Sequence, residues 1–209
     1  MAVSSLNRFT VPLSSGGEGS QGLLMPKLKY RFRVTLENFG VAGAPSTELT
    51  KQVITCGRPS VTFADITLPV YNSTVKLAGK PSWDDVELKL RDDVTNGVTT
   101  LVGNQLQKQF DFYEQASAAS GIDYKFSMTV DILDGGNGAS SPTTLESFTL
   151  LGCYLSKAVY QGGDYSSNDP LDITLTVKYD NALQYGSNGA PSGVGQAIGR
   201  SVRTLALGG

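Results

Sequence analysis

Apolar and polar residues alternate along much of this chain with a period of two, the spacing that puts successive side chains on opposite faces of a strand. Leu28, Tyr30, Phe32, Val34 and Leu36 oppose Lys29, Arg31, Arg33 and Thr35, which predicts a strand over 28–36. Lys51 to Val61 and Val61 to Val70 read as two strand-like runs interrupted by Gly57-Arg58-Pro59. Val86, Leu88 and Leu90 alternate with Asp85, Glu87, Lys89 and Arg91, a half-buried antiparallel strand with a fully charged outer face. The same alternation marks 124–133, with Tyr124, Phe126, Met128, Val130 and Ile132 inward, and 172–180, with Ile173, Leu175, Val177 and Tyr179 inward. Residues 148–155 are apolar on both faces, which predicts burial on both.

One segment breaks the rhythm. Leu101, Val102, Leu106, Phe110 and Tyr113 make a stripe of helical period over 98–118, with Ser120-Gly121 as its stop. Gly79 and Pro81, ahead of the charged strand, predict a turn over 77–81. About six strands and one helix make a mainly β protein, an antiparallel β-sandwich or open barrel with one packed α-helix. Strands with open edges aggregate unless something covers them, and closing the sheet across copies of the same chain is one solution.

The ends differ from the middle. Residues 1–26 form an N-terminal arm rich in Gly and Ser yet punctuated by Leu6, Phe9, Val11, Leu13, Leu23, Leu24 and Met25, which points to docking on a neighbour. Residues 27–180 make the β domain, and 181–209 a Gly/Ser-rich C-terminal extension with scattered apolar groups.

Composition narrows the chemistry. The 209 residues are 40% hydrophobic and 17% charged, with 19 acidic against 17 basic side chains, so no basic footprint for a phosphate backbone exists in bulk. Histidine is absent, which removes His-based acid–base catalysis, the Ser-His-Asp triad and imidazole metal ligands. Cys56 and Cys153 are far apart and are expected to be reduced. Gly17 to Gly22 fits G-x-G-x-x-G but lacks the preceding strand that a dinucleotide site needs. Asp84-Asp85 and Asp92-Asp93 are adjacent pairs whose side chains diverge on a strand, and Asp131, Asp134 and Asn137 do not have EF-hand spacing. No metal, cofactor or catalytic group is expected, nor does any apolar run reach membrane-spanning length.

Leu77-Ala78-Gly79, Trp83-Asp84-Asp85, the alternating strand to Leu90, Asp92-Asp93 and a following helix occur in the order and spacing of tail tube proteins from contractile-tailed bacteriophages. The chain resembles that family, the phage tail tube and Hcp-like proteins, over this stretch. The resemblance implies a structural virion protein of the tail, whose hexameric rings close a β-barrel around a lumen and stack into a tube. It also implies sheath, baseplate and terminator partners and DNA that passes without specific binding. Leu77, Ala78, Gly79, Trp83, Asp84 and Asp85 are then the expected assembly residues. Lys29, Arg31 and Arg33 are expected to point away from such a lumen or to meet acids such as Asp85 and Glu87. The alternative is a monomeric β-sandwich that binds glycans or proteins through Tyr154, Tyr160 and Tyr165.

Overall fold

A computed structural model describes residues 26–40, the backbone of 47–48, and residues 51–135 and 141–196; expectations for residues 1–25 and 197–209, and for Asn137, lie outside these. The chain divides into two compact units, Met1–Arg31 and Phe32–Gly209. In the first, the amide of Arg31 donates to Leu28 O (3.2 Å), closing a turn, and the Arg31 guanidinium lies 5.4 Å from the centre of the Tyr30 ring.

The second unit contains, in order, β1 (Phe32–Glu37), β2 (Thr47–Glu48), β3 (Val53–Cys56), β4 (Val61–Val70), β5 (Ser73–Trp83), β6 (Val86–Arg91), α1 (Gly97–Gln109), β7 (Phe110–Asp111), β8 (Ala116–Ser117), α2 (Gly121–Tyr124), β9 (Phe126–Leu133), β10 (Thr144–Tyr160), β11 (Asp172–Lys178) and β12 (Asn181–Gly186). Every pairing among these strands is antiparallel.

β10 serves two sheets. Its first half pairs with β9 and β12, and β9 continues to β1 and β2; its second half pairs with β11, which continues to β6 and β3. The change of sheet occurs where the register shifts, between Leu150 and Cys153 against β9 and between Leu155 and Lys157 against β11. Gly152 lies in that bend at φ 68°, where any Cβ would run into the Asp180 carboxylate. The inward faces of the two sheets share one core: Val34 and Leu36, Met128 and Val130, and Leu150 from the first, Val86, Leu88 and Leu90 and Ile173, Leu175 and Val177 from the second. This is a β-sandwich whose sheets are joined by one long strand. β12, beyond residue 180, adds Ala182 to the core, and its outer edge is covered by the chain that follows: Gln184 N donates to Val194 O (2.7 Å) and Ser192 N to Gln184 O (2.9 Å).

α1 is tied to this body by glutamines as well as by Val98 and Val102. Gln105 is fully buried; its Oε1 accepts from Gly40 N (3.0 Å) and its Nε2 donates to Tyr124 O (2.7 Å). Gln109 takes the place of a missing strand rung, donating to Leu155 O (2.9 Å) and accepting from Leu155 N (2.8 Å). Asp92 and Asp93 brace the entry to the helix, accepting from Thr99 Oγ1 and from Gly97 N (both 2.9 Å).

Three expectations need correction. The helix ends at Gln109 instead of 118, because the Asp111 carboxylate accepts the amides of Tyr113 (2.9 Å) and Glu114 (3.1 Å) and so offers the backbone a turn in place of another helical rung. Phe110 and Tyr113 therefore leave the stripe and are exposed, and Ser120 caps the start of α2. The first strand begins at Phe32, so Lys29 and Arg31 lie outside it; Arg33 does meet an acid on a neighbouring strand, as expected, but the acid is Asp131 on β9 (Nη2–Oδ2 2.7 Å) instead of Asp85 or Glu87. Residues 148–155 are not buried on both faces: Leu150, Cys153 and Leu155 point inward while Leu151 is exposed, since the bend at Gly152 resets the alternation.

Candidate assembly surface

β4 and β5 form a two-stranded sheet of their own. They continue the β3–β6 ladder without loss of register: Cys56 faces Leu88 and Val61 faces Trp83, five residues further along each strand by subtraction (61 − 56 and 88 − 83). Gly57 N to Glu87 O and Asp84 N to Ser60 O (both 3.0 Å) bridge the gap between the two ladders. One edge of the second sheet is thus drawn out into a ribbon that no other strand among the described residues joins.

The ribbon turns at Tyr71-Asn72, between the Val70–Ser73 rung and nothing beyond it. Residues directly opposite each other share a face. Ile66 faces Leu77 and Leu68 faces Val75, and with Val70 they make one face apolar up to Ser73, which pairs with Val70 beside the turn. The other face carries Asp65, Thr67, Lys76 and Ala78, with Phe63 and Pro81 nearer the root. A strand buries its apolar face when a partner lies over it; here Ile66, Leu68, Val70, Val75 and Leu77 are each 45–51% exposed. An isolated two-stranded hairpin is at best marginally stable in water, and this one leaves its apolar side to the solvent.

Two devices hold and aim the ribbon. At the root, Trp83 packs on Tyr179 with ring centres 5.6 Å apart, and Asp84 accepts from Ser60 Oγ (2.8 Å) and Thr62 Oγ1 (3.3 Å). Asp85 reaches Lys178 at 3.7 Å, an exposed pair that contributes little. Burial pushes the Tyr179 phenol up to about 12. Midway, the register slips between Phe63 and Asp65, where Gly79 and Lys80 oppose Ala64: a β-bulge. A Cβ on Gly79 would come within 2.8 Å of the Ala64 carbonyl oxygen, so the close approach of the two backbones requires glycine. Prolines sit on both strands, Pro69 and Pro81, and a proline is tolerated only where its missing N–H faces away from the partner. Both free edges are thereby blunted against a third strand, which leaves the apolar face as the surface on offer.

The residues expected from the sequence divide into two groups. Leu77 belongs to the apolar face, Ala78 to the opposite one and Gly79 to the bulge, whereas Trp83, Asp84 and Asp85 anchor the root. The turn expected over 77–81 is a correction: those residues are mid-strand, and the turn lies earlier, at Tyr71-Asn72, with Tyr71 at φ 28°. Ile66, Leu68, Val70 and Val75 were missed. Their signal was two alternating apolar runs flanking a two-residue polar–aromatic break, a hairpin pattern that lacked the usual glycine.

Elsewhere the surface offers little chemistry. Among the described residues no group of three His, Cys, Asp or Glu side chains could hold a metal ion. Tyr154 and Tyr160 are six residues apart on β10, about 20 Å at strand rise, and Tyr165 stands fully exposed in the following loop, so the three do not form one stacking patch. A depression of about 500 Å³ beside β10 is lined by Phe110, Tyr124 and Tyr154, but the amide at its floor, Gln109, is committed to Leu155. No helix among the described residues is long and apolar enough to cross a membrane.

No protein-family model and no curated protein matches the chain. Solved structures do share its fold. A chain of the 6-fold symmetrised baseplate of the anti-feeding prophage matches with a TM-score of 0.59 at 16% identity, covering 79% of this chain and 99% of that one. A chain of the sheath–tube complex of the PVC extracellular contractile injection system, in the extended state, matches at 0.55 and 13%, covering 77% and 92%. A chain of the tube-terminating cap of the anti-feeding prophage matches at 0.58 and 12%, covering 79% and 95%. At these identities the likeness is one of fold.

Proposed function

We propose that this protein is a structural subunit of a tail tube, whose copies assemble through the β4–β5 ribbon into hexameric rings that stack into a conduit for a phage genome. The observation that carries this reading is the uncovered apolar face of the ribbon. Covering five half-exposed aliphatic side chains is worth roughly 1 kcal/mol each, about 5 kcal/mol in all before the cost of association. Among the described residues nothing collects it, and a neighbouring subunit can. The fold it shares with chains of a baseplate, a sheath–tube complex and a tube cap supports the same reading.

Leu77, Ala78 and Gly79 act in this scheme as the contact and the bulge that aims it, and Trp83, Asp84 and Asp85 as the root. Sheath, baseplate and terminator proteins are the further partners, and the virion tail is the location, after assembly in the host cytoplasm. The N-terminal arm and the part of the C-terminal extension beyond residue 196 serve as clamps between subunits, whereas 181–196 belong to the sandwich of their own chain. In this reading the protein acts as a wall without catalysis. Such a wall must let a polyanion slide. Arg33 with Asp131, Lys89 with Asp172 (2.5 Å) and Lys125 with Asp180 (2.5 Å) each set a cation against an acid, which removes the counterion-release grip of a bare basic strip.

Sedimentation with negative-stain imaging of the purified protein tests the reading. Rings or tubes of constant diameter are expected. A 22.1 kDa monomer at all concentrations overturns it.

A further inference from the structure

Beside β10 lies a depression of about 500 Å³ whose eight lining residues carry no charge, in a chain where charged side chains make up 17%. Three rings form its walls: Phe110 begins β7, Tyr124 ends α2 and Tyr154 stands on β10. Each wall is held from behind. The Asp111 carboxylate accepts from Tyr113 N, Glu114 N and Gln107 Nε2 (2.8–3.1 Å), which fixes the turn between β7 and β8. The Phe112 ring packs edge-on against Phe110, with ring centres 5.3 Å apart. α2 opens on a capping box, Ser120 Oγ accepting from Ile122 N (3.3 Å) and Ser120 N donating to Asp123 (3.1 Å). Its last residue, Tyr124, is tied down where its carbonyl accepts from the buried Gln105 (2.7 Å). Tyr154 precedes the irregularity between Leu155 and Lys157, where Gln109 replaces the missing rung. The depression is therefore preformed, and its volume is in the range that takes small molecules.

The lining offers a ligand hydroxyls and ring faces. The hydroxyls of Ser117, Tyr124 and Tyr154 bond to none of the described residues, and Ser156 Oγ donates to Thr176 O (3.2 Å) but keeps its lone pairs. The charges nearby come in pairs: Lys125 with Asp180 (2.5 Å), and Lys178, the cross-strand neighbour of Tyr154, with Asp85 (3.7 Å). The Asp180 hydrogen bond holds the Lys125 ammonium above its usual range, and the Tyr124 and Tyr154 phenols add to it, which puts both hydroxyls near that pair. An anionic ligand finds no cation in the lining to hold it. A nucleobase is flat and neutral, but its edge is read by side-chain amides, and the amide of this lining, Gln109, is already bound to Leu155. A pyranose ring matches both features. The C–H bonds on its faces meet aromatic faces, and the hydroxyls at its edge both donate and accept.

We propose that the depression between Phe110, Tyr124 and Tyr154 is a binding site for a neutral saccharide. The sugar ring lies on the aromatic walls while Ser117, Ser156 and the two phenols meet its hydroxyls. Neither side carries a net charge at the contact, so salt leaves the affinity unchanged. Of the tyrosines that the sequence singled out for stacking, Tyr154 takes part, and its partners Phe110 and Tyr124 come from elements far off in the chain. The site does not rest on the tube reading, because no residue of the β4–β5 ribbon lines it.

Saturation-transfer nuclear magnetic resonance on the full chain tests this, with maltotriose, cellotriose and chitotriose as probes and adenosine as the stacking control. At least one of the sugars is expected to receive saturation on its ring protons, with the same affinity at low and high salt. Tyr154→Ala should weaken that binding about tenfold, and Tyr154→Phe, which keeps the ring, about threefold. Tyr165→Ala, in the exposed loop after β10, should leave it unchanged. Circular dichroism and melting show whether each variant is folded. If Tyr154→Ala is not, Phe110→Ala removes another wall at a side chain already 37% exposed, and the same loss is expected. No transfer to any of the sugars, or undiminished transfer in the folded wall variant, overturns the site. Transfer to adenosine and to no sugar overturns the saccharide. Rings in sedimentation from a protein that binds no sugar would overturn this site alone and leave the tube reading standing.

Discussion

The sandwich and the ribbon are built from the same kind of strand, and they differ in what lies over the apolar side. β6 and β11 alternate apolar and polar residues, and Val86, Leu88, Leu90, Ile173, Leu175 and Val177 all vanish into the core because the other sheet covers them. β4 and β5 alternate just as cleanly beyond the bulge, yet every residue of β4 after Val61 is exposed. The two regions even share one hydrogen-bond register, since the ribbon extends the β3–β6 pair. The difference teaches that amphipathic patterning reports a face to be covered without saying by what. In the sandwich the cover is the same chain; at the ribbon none of the described residues supplies one.

Substitutions on the two sides of this boundary should therefore separate folding from assembly. The largest effect is expected in the sandwich: Leu88→Ala removes a fully buried side chain and should cost about 2–5 kcal/mol of stability, read as a lower melting temperature with assembly lost as a consequence. Replacing Ile66, Leu68 and Leu77 together with serine should do the reverse. At roughly 1 kcal/mol each, association weakens about a hundredfold in sedimentation, while melting of the isolated subunit barely moves. If the triple variant melts as badly as Leu88→Ala, the ribbon is part of the folding core and the comparison fails.

Gly79→Val sharpens the boundary further, because the new side chain would strike the Ala64 carbonyl and force the bulge to shift at a cost of roughly 1–3 kcal/mol. The strain falls within the ribbon, so ring formation should suffer more than the far-ultraviolet circular dichroism of the sandwich. Normal rings from this variant would show that the bulge does not aim the contact. The smallest effect concerns pH. Burial raises Cys153 and Tyr179 to about 12, so their unfolded forms ionise first. Their contribution is full below the unfolded values, near 8.5 and 10, and is lost as pH climbs toward 12. The melting temperature of the sandwich should fall gradually over that window, and Cys153→Ala should flatten its lower part.

Much of this was legible along the chain. The inward faces of β6 and β11 follow from alternation alone, as do Phe126, Met128, Val130 and Ile132 of β9, but Tyr124, expected inward on that strand, ends α2 and is only half-buried; the mainly β class with one packed helix follows from counting such runs. What escaped was non-local. Asp111 stops the helix early by capturing two amides, a competition that periodicity does not register. Gly79 and Pro81 carry turn chemistry but serve a bulge and a blunted edge within a strand, because their meaning depends on Ala64 and Phe63 across the ladder. The true turn, Tyr71-Asn72, lacks glycine and so carries a weak local signal.

By itself the sequence determined which side chains must leave water: a period of two or 3.6 fixes a face wherever the backbone runs on without a break, since the geometry of strand and helix is local. It also determined that no histidine chemistry is available. Only the tertiary structure decided which of those faces find a partner inside the chain. β10 bends at Gly152 to place one sheet over the other, and that closure covers β6 and β11 while the β4–β5 ribbon runs past its end. Burial is a property of pairs of surfaces brought together across long stretches of sequence, and a pattern along one strand contains only half of each pair.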